Sequence, residues 1–198
     1  PRDRDALPIA WHRHLGPVSA LVGFSLLRAL VIFGVVTYLP VLWYLRGHSL
    51  TEGAALITVM LVVGIIGNVG GGHLADRIGR QPVLFGSSLL GALLLVAFLL
   101  SSGPWQWILL GLLGIALFSS LPLSILIGQD IFPENRSLGS GIGLGLSNGL
   151  AAIALAGLDL VSSASGPEVV LWLLVGVALL AAVVSLRVPT DSHAARRG

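Results

Sequence analysis

The sequence contains neither cysteine nor lysine. Without cysteine there are no disulfides, no thiolate metal sites and no cysteine nucleophile, and the redox compartment is left open. Without lysine there is no Walker phosphate loop and no Schiff base to pyridoxal phosphate or retinal, which argues against ATP hydrolysis by this chain. Charge is scarce too. Charged residues make up 10% of the 198 and hydrophobic ones 55%, whereas a globular chain is about 25% charged. With a mean hydropathy of +0.95, lipid is the expected solvent. The pI of 9.9 then reflects the topological bias of basic residues in membrane proteins, and no nucleic-acid partner is expected.

What is present is long uncharged runs. A spanning helix needs about 20 apolar residues, and the chain supplies six such stretches, at about 17–45, 53–75, 82–101, 105–128, 137–161 and 169–187. SSGPWQW at 101–107 and SSASGP at 162–167 read as short turns. The expected fold class is all-α: a polytopic membrane bundle of six transmembrane helices over 17–188, preceded by a polar segment at 1–16 and followed by a tail at 189–198. Tight loops imply antiparallel neighbours.

Arginine placement sets the expected orientation. Arg2, Arg4, Arg13, Arg77, Arg80, Arg136, Arg187, Arg196 and Arg197 fall on the side shared by both termini, against Arg46 alone on the other. The positive-inside bias makes that shared side cytoplasmic. Trp43, Tyr44, Trp105, Trp107 and Trp172 fall at the expected outer ends, where amphipathic rings settle at the headgroups.

The turn between the second and third spans, GGHLADRIGRQPV at 71–83, concentrates charge. An ordinary positive-inside turn accounts for Arg77 and Arg80. It does not account for their order with Gly72, Asp76 and Gly79. Glycines there are expected to give close backbone approach and a positive φ. Asp76 is placed to accept from exposed amides at a neighbouring helix N-terminus.

Residues 72–80, Gly-His-Leu-Ala-Asp-Arg-Ile-Gly-Arg, resemble the loop signature of the major facilitator superfamily, G-x-x-x-D-R-x-G-R followed by a basic residue. Gln81 departs from that last position. The resemblance implies half of a twelve-helix secondary transporter. The C-terminal half is favoured because Pro1 is not a natural start, PRDRDALPIAWHRH resembles the central cytoplasmic linker, and the chain closes on an arginine-rich tail. Residues 26–50 and 128–153 are similar to the seventh helix and the loop into the eleventh helix of fosmidomycin-resistance-type efflux proteins. By that likeness the first and fourth spans line a central cavity, and the signature loop (Gly72, Asp76, Arg77, Gly79, Arg80) gates the cytoplasmic side.

Polar residues within the spans are the candidates for the cavity or for coupling. Arg28 is charged and well inside the first span, where function is the default reading and snorkelling toward the cytoplasm the competing one. Thr37 and Tyr38 precede Pro40, and Ser119, Ser120 and Ser124 surround Pro122; proline breaks accompany transporter sites or are packing kinks. Asp159 falls near the outer interface, as a proton-coupling group or an interfacial carboxylate. Asn148 reaches the cavity or a neighbouring helix. Gly141, Gly145 and Gly149, like Gly67 and Gly71, form smooth faces expected to pack closely against other helices.

His12, His14, His48, His73 and His193 read as lying in loops or tails, His73 in the turn at 71–83, so an intramembrane serine protease is expected to lack its base, and a single intramembrane carboxylate cannot form an aspartyl dyad. No enzyme activity, catalytic residue, metal or cofactor is expected. The resemblance implies a proton-coupled exporter of small drug-like or polar molecules, driven by an ion gradient and working by alternating access; the alternative is an importer or exchanger of a small organic solute such as a sugar or organic anion. Its implied partners are an N-terminal six-helix half, the lipid bilayer and a small-molecule substrate, and its implied location is the bacterial inner membrane.

Overall fold

The computed structural model describes residues 11–190, with side chains from Leu15 onward. The stretches 1–10 and 191–198, with Arg2, Arg4, Arg196 and Arg197, lie outside the described residues, as does the Arg13 side chain. All regular structure among the described residues is helical: α1 (Trp11–Leu45), α2 (Leu50–Ile78), α3 (Arg80–Leu100), α4 (Trp105–Ser119), α5 (Leu121–Ile131), α6 (Arg136–Ser140), a π-helical turn at Gly141–Leu146, α7 (Ser147–Ser165) and α8 (Pro167–Ser185). With α4–α5 and α6–α7 each read as one span, six helices are long and apolar enough to cross a bilayer. The chain is an all-α, six-span membrane protein.

Local chemistry sets the ends, and several differ from expectation. Residues 11–16 are helical and continuous with α1. The second span begins at Leu50 because Ser49 and Glu52 form a capping box, each accepting from the other's backbone N–H. The turn between α2 and α3 is a single residue, Gly79, whose φ of 93° is open to glycine at little steric cost. The loop expected at 162–167 is mostly helix. The chain reverses at Gly166 alone (φ 88°), and Pro167 starts α8 at a position where its missing N–H costs nothing. The fourth span does break where Pro122 suggested, with Ser120 as the joint between α4 and α5.

Glycines decide which helices touch. A methyl group on Gly67 would lie 2.2 Å from the Ile115 carbonyl oxygen, one on Gly71 2.0 Å from that of Ser119, and one on Gly114 2.1 Å from that of Met60. The α2 and α4 backbones are therefore in direct contact over about two turns, as expected of the Gly67–Gly71 face. The face of Gly141, Gly145 and Gly149 is different: a methyl on any of them would meet nothing within 4 Å. Its neighbours Gly139 and Gly143 make the close approach instead, against Gly128 and Ser124 of α5. A spacing of four marks a smooth face without saying which of two interleaved faces meets a neighbour, and the π turn shifts the register just there.

The interior holds two apolar clusters. The larger gathers around Val35, Leu39, Leu56, Met60, Leu95 and Phe98, and the smaller, toward the signature turn, around Leu21, Phe24, Leu84, Leu123 and Ile127. Where they meet lies a buried polar layer: Ser25, Arg28, Ser87, Ser88, Ser120 and Ser124. The fifth span stands apart, with 11% of its apolar stretch buried where the others reach 33% to 56%.

Candidate functional site

The polar residues singled out in the sequence fall into three places. At the signature turn, α2 runs out at Ile78 and Gly79 throws the chain into α3, so that Arg80 starts the new helix. Its guanidinium forms an ion pair with Asp130 near the end of α5. Gln81, in place of the usual basic residue, donates to the Leu186 carbonyl at 2.9 Å and accepts from the Thr190 hydroxyl at 3.0 Å. An amide thus takes over a role that charge would otherwise fill, capping orphan carbonyls at the end of α8. Arg77 and Asp76 are exposed and make no hydrogen bond or ion pair among the described residues. The helix N-terminus expected to receive Asp76 does not reach it. Nor does Gly72 provide a close approach, since a methyl there would touch nothing within 4 Å; Gly71 does so instead.

At the opposite end Tyr38 and Asp159 come together. The Tyr38 hydroxyl donates to Asp159 Oδ1 at 2.5 Å, with the Leu155 carbonyl a longer 3.4 Å away. Tyr38 is buried in the core while Asp159 is exposed. Each lies six or seven residues inside its helix end, roughly 10 Å at 1.5 Å per residue. Thr37 is exposed beside this pair, and Asn148, half-buried, makes no hydrogen bond among the described residues.

The third place is the polar layer. Arg28 is 3% exposed, unlike a side chain snorkelling to water. It lines a small cavity with Ser87 and Ser88 of α3 and Ser120 at the α4–α5 joint. Around Pro122 the hydroxyls serve their own helices: Ser119 donates to Ala116, Ser120 to Leu117 and Ser124 to Ser120. Such bonds occupy carbonyls near the joint.

The structure therefore brings Tyr38 to Asp159, and Arg28 to Ser120. Thr37, next to Tyr38, and Asn148 form no hydrogen bond with either group among the described residues. Residues not singled out in the sequence are Asp130, Ser25, Ser87 and Ser88. Asp130 is the first charge after the uncharged run from 81 to 129, and Ser87–Ser88 is the one pair of polar residues inside the third span, so both carried a signal.

A family model described as Major Facilitator Superfamily matches residues 24–198. The chain is 32% identical over 118 residues to an uncharacterized MFS-type transporter, YfnC, of Bacillus subtilis, covering 60% of this chain and 29% of that protein. It is 32% identical over 120 residues to the benzoate transport protein of Acinetobacter baylyi, covering 59% of this chain and 26% of that protein. Identity to the fosmidomycin resistance protein of Escherichia coli is 25% over 147 residues, 74% of this chain and 36% of that protein. In each case the match spans well under half of the relative's length.

Proposed function

The chain belongs to the major facilitator superfamily, and from that premise we propose that it is the C-terminal six-helix half of a secondary transporter, a proton-coupled exporter of small drug-like or polar molecules. Two bodies rocking about a site between them give alternating access, and this chain supplies one body. The partner is an N-terminal six-helix half; the membrane is the bacterial inner membrane, with both termini cytoplasmic. No cofactor takes part, and a proton gradient supplies the energy.

The observation that carries the reading is the Tyr38–Asp159 bond. An exposed carboxylate on the least buried span is held to a buried tyrosine on the first span. Protonating that carboxylate replaces a charge-assisted bond with a weaker one, which loosens α1 from α7 and so couples proton occupancy to helix position. The signature turn, tied by Arg80–Asp130 and Gln81, serves as the cytoplasmic gate. The likeness to a fosmidomycin resistance protein supports export. The likeness to a benzoate transport protein favours the second reading, an importer or exchanger of a small organic anion.

The test is reconstitution of the intact transporter in vesicles with an imposed pH gradient, with radiolabelled fosmidomycin and benzoate as trial substrates. Gradient-driven flux that collapses with a protonophore and is lost in Asp159→Asn is expected. Flux indifferent to the gradient defeats the proton-coupled reading, and accumulation of benzoate in the import direction selects the alternative.

A further inference from the structure

Arg28 lies between the two apolar clusters, 3% exposed, and forms no hydrogen bond or ion pair with any described residue. Its Nε is sealed from solvent without a partner, and so is the hydroxyl of Ser25 one turn before it. The described carboxylates are all elsewhere: Asp76, Asp130 and Glu134 toward the signature turn, Glu52, Asp159 and Glu168 toward the opposite end. A buried cation with no counter-charge is among the costliest arrangements a protein interior can hold. Its neutralising group therefore comes from outside the described polypeptide.

The space available limits what that group is. Beside Arg28 is a cavity of about 10 Å³, lined by Ser87, Ser88 and Ser120 with Val31 and Leu117, room for one water-sized particle. Carboxylates, phosphates and organic anions exceed that space by several atoms, and chloride is the smallest anion abundant in a cell. Ser87 and Ser120 commit their hydroxyl hydrogens to the Leu84 and Leu117 carbonyls. Ser88 makes no hydrogen bond to any described residue, so the donors open to the cavity are the guanidinium N–H groups and the Ser88 hydroxyl. Water would fill the space but bring no charge. A single-atom anion brings the charge in the least volume; a chloride is larger than a water, so the Arg28 side chain shifts to admit it.

We propose that Arg28 and Ser88 hold a halide ion, chloride in the cell, as an internal counter-ion that ties α1 to α3 and to the joint between α4 and α5. The ion is structural and is not the transported substrate, so the site stands whether or not the transport reading holds.

The experiment melts the intact polypeptide carrying this chain, purified in detergent, in chloride, bromide or gluconate at matched ionic strength. Chloride and bromide are expected to raise the melting temperature saturably by several degrees over gluconate. The rise should vanish in Arg28→Gln, and Ser88→Ala should weaken the apparent halide affinity several-fold. Where Arg28→Gln does not fold, Ser88→Ala decides. Equal melting in chloride and gluconate, as a site filled by water alone would give, overturns the proposal, as does a halide response unchanged by Ser88→Ala.

Discussion

Tyr38 donates its phenolic hydrogen to Asp159 across 2.5 Å, joining the first span to the fifth near the end opposite the signature turn. The bond links a buried group to an exposed one, so its strength depends on what occupies the open side of α7. Tyr38→Phe removes the donor and keeps the ring in the core. Stability in detergent is expected to fall by about 0.5–1.5 kcal/mol, and transport to fall several-fold. A double-mutant cycle with Asp159→Asn checks the link: strictly additive losses would mean that the two residues act separately.

Gly70 and Gly71 are adjacent, yet alanine should act oppositely at the two positions. At Gly71 the new methyl would lie 2.0 Å from the Ser119 carbonyl oxygen, whereas at Gly70 it meets nothing within 4 Å. Gly71→Ala forces α2 and α4 apart and is expected to destabilise by about 1–3 kcal/mol or more. Gly70→Ala should be neutral or stabilising by up to about 1 kcal/mol, from helix propensity. Denaturation of both variants in the same detergent makes the comparison.

Within the signature turn, Asp76 and Arg80 separate gating from folding. Asp76 is exposed and unbonded among the described residues, so Asp76→Asn should leave the melting temperature unchanged while lowering transport in the intact protein. Arg80→Gln breaks the pair with Asp130. A pair this exposed is worth about 0.2–1 kcal/mol, and the coupling to Asp130→Asn should shrink as salt is raised. Full transport by Asp76→Asn at equal membrane expression would remove the gate from the proposal.

Orientation is testable because the chain has no cysteine. Ser102, just past the third span, and Ile78, at the end of the second, are both exposed and lie at opposite ends of the bundle. In intact cells an impermeant thiol reagent should label Ser102→Cys and spare Ile78→Cys. The opposite pattern would invert the topology drawn from the arginines.

The six spans were legible because apolar runs of bilayer length are the strongest signal a sequence carries. The joint at Ser120 was legible because Pro122 leaves few alternatives. Partners were harder to read. Gly67–Gly71 and Gly141–Gly145–Gly149 look alike in sequence, yet among the described residues only the first face touches another helix. The turn at Gly166 is shorter than its sequence suggests, since serines at 162, 163 and 165 read as a loop that lipid-facing backbone cannot adopt without losing its hydrogen bonds. Arg80 with Asp130 and Tyr38 with Asp159 are fifty and more residues apart, and one sequence has no local pattern that records such contacts.

The joint at Ser120 divides the fourth span into parts with different allegiances. Above it, α4 meets α2 backbone against backbone at Gly67, Gly71 and Gly114, with Phe118, Val59 and Val63 packed on glycines of the facing helix. Below it, α5 is held to α6 by the Gly128–Gly139 contact and to α3 by the Arg80–Asp130 pair. The fourth span is thus a lever with both arms held, each by different neighbours. Any change of angle along that span would be taken up at Ser120, between one arm that follows α2 and another that follows α6 and the head of α3.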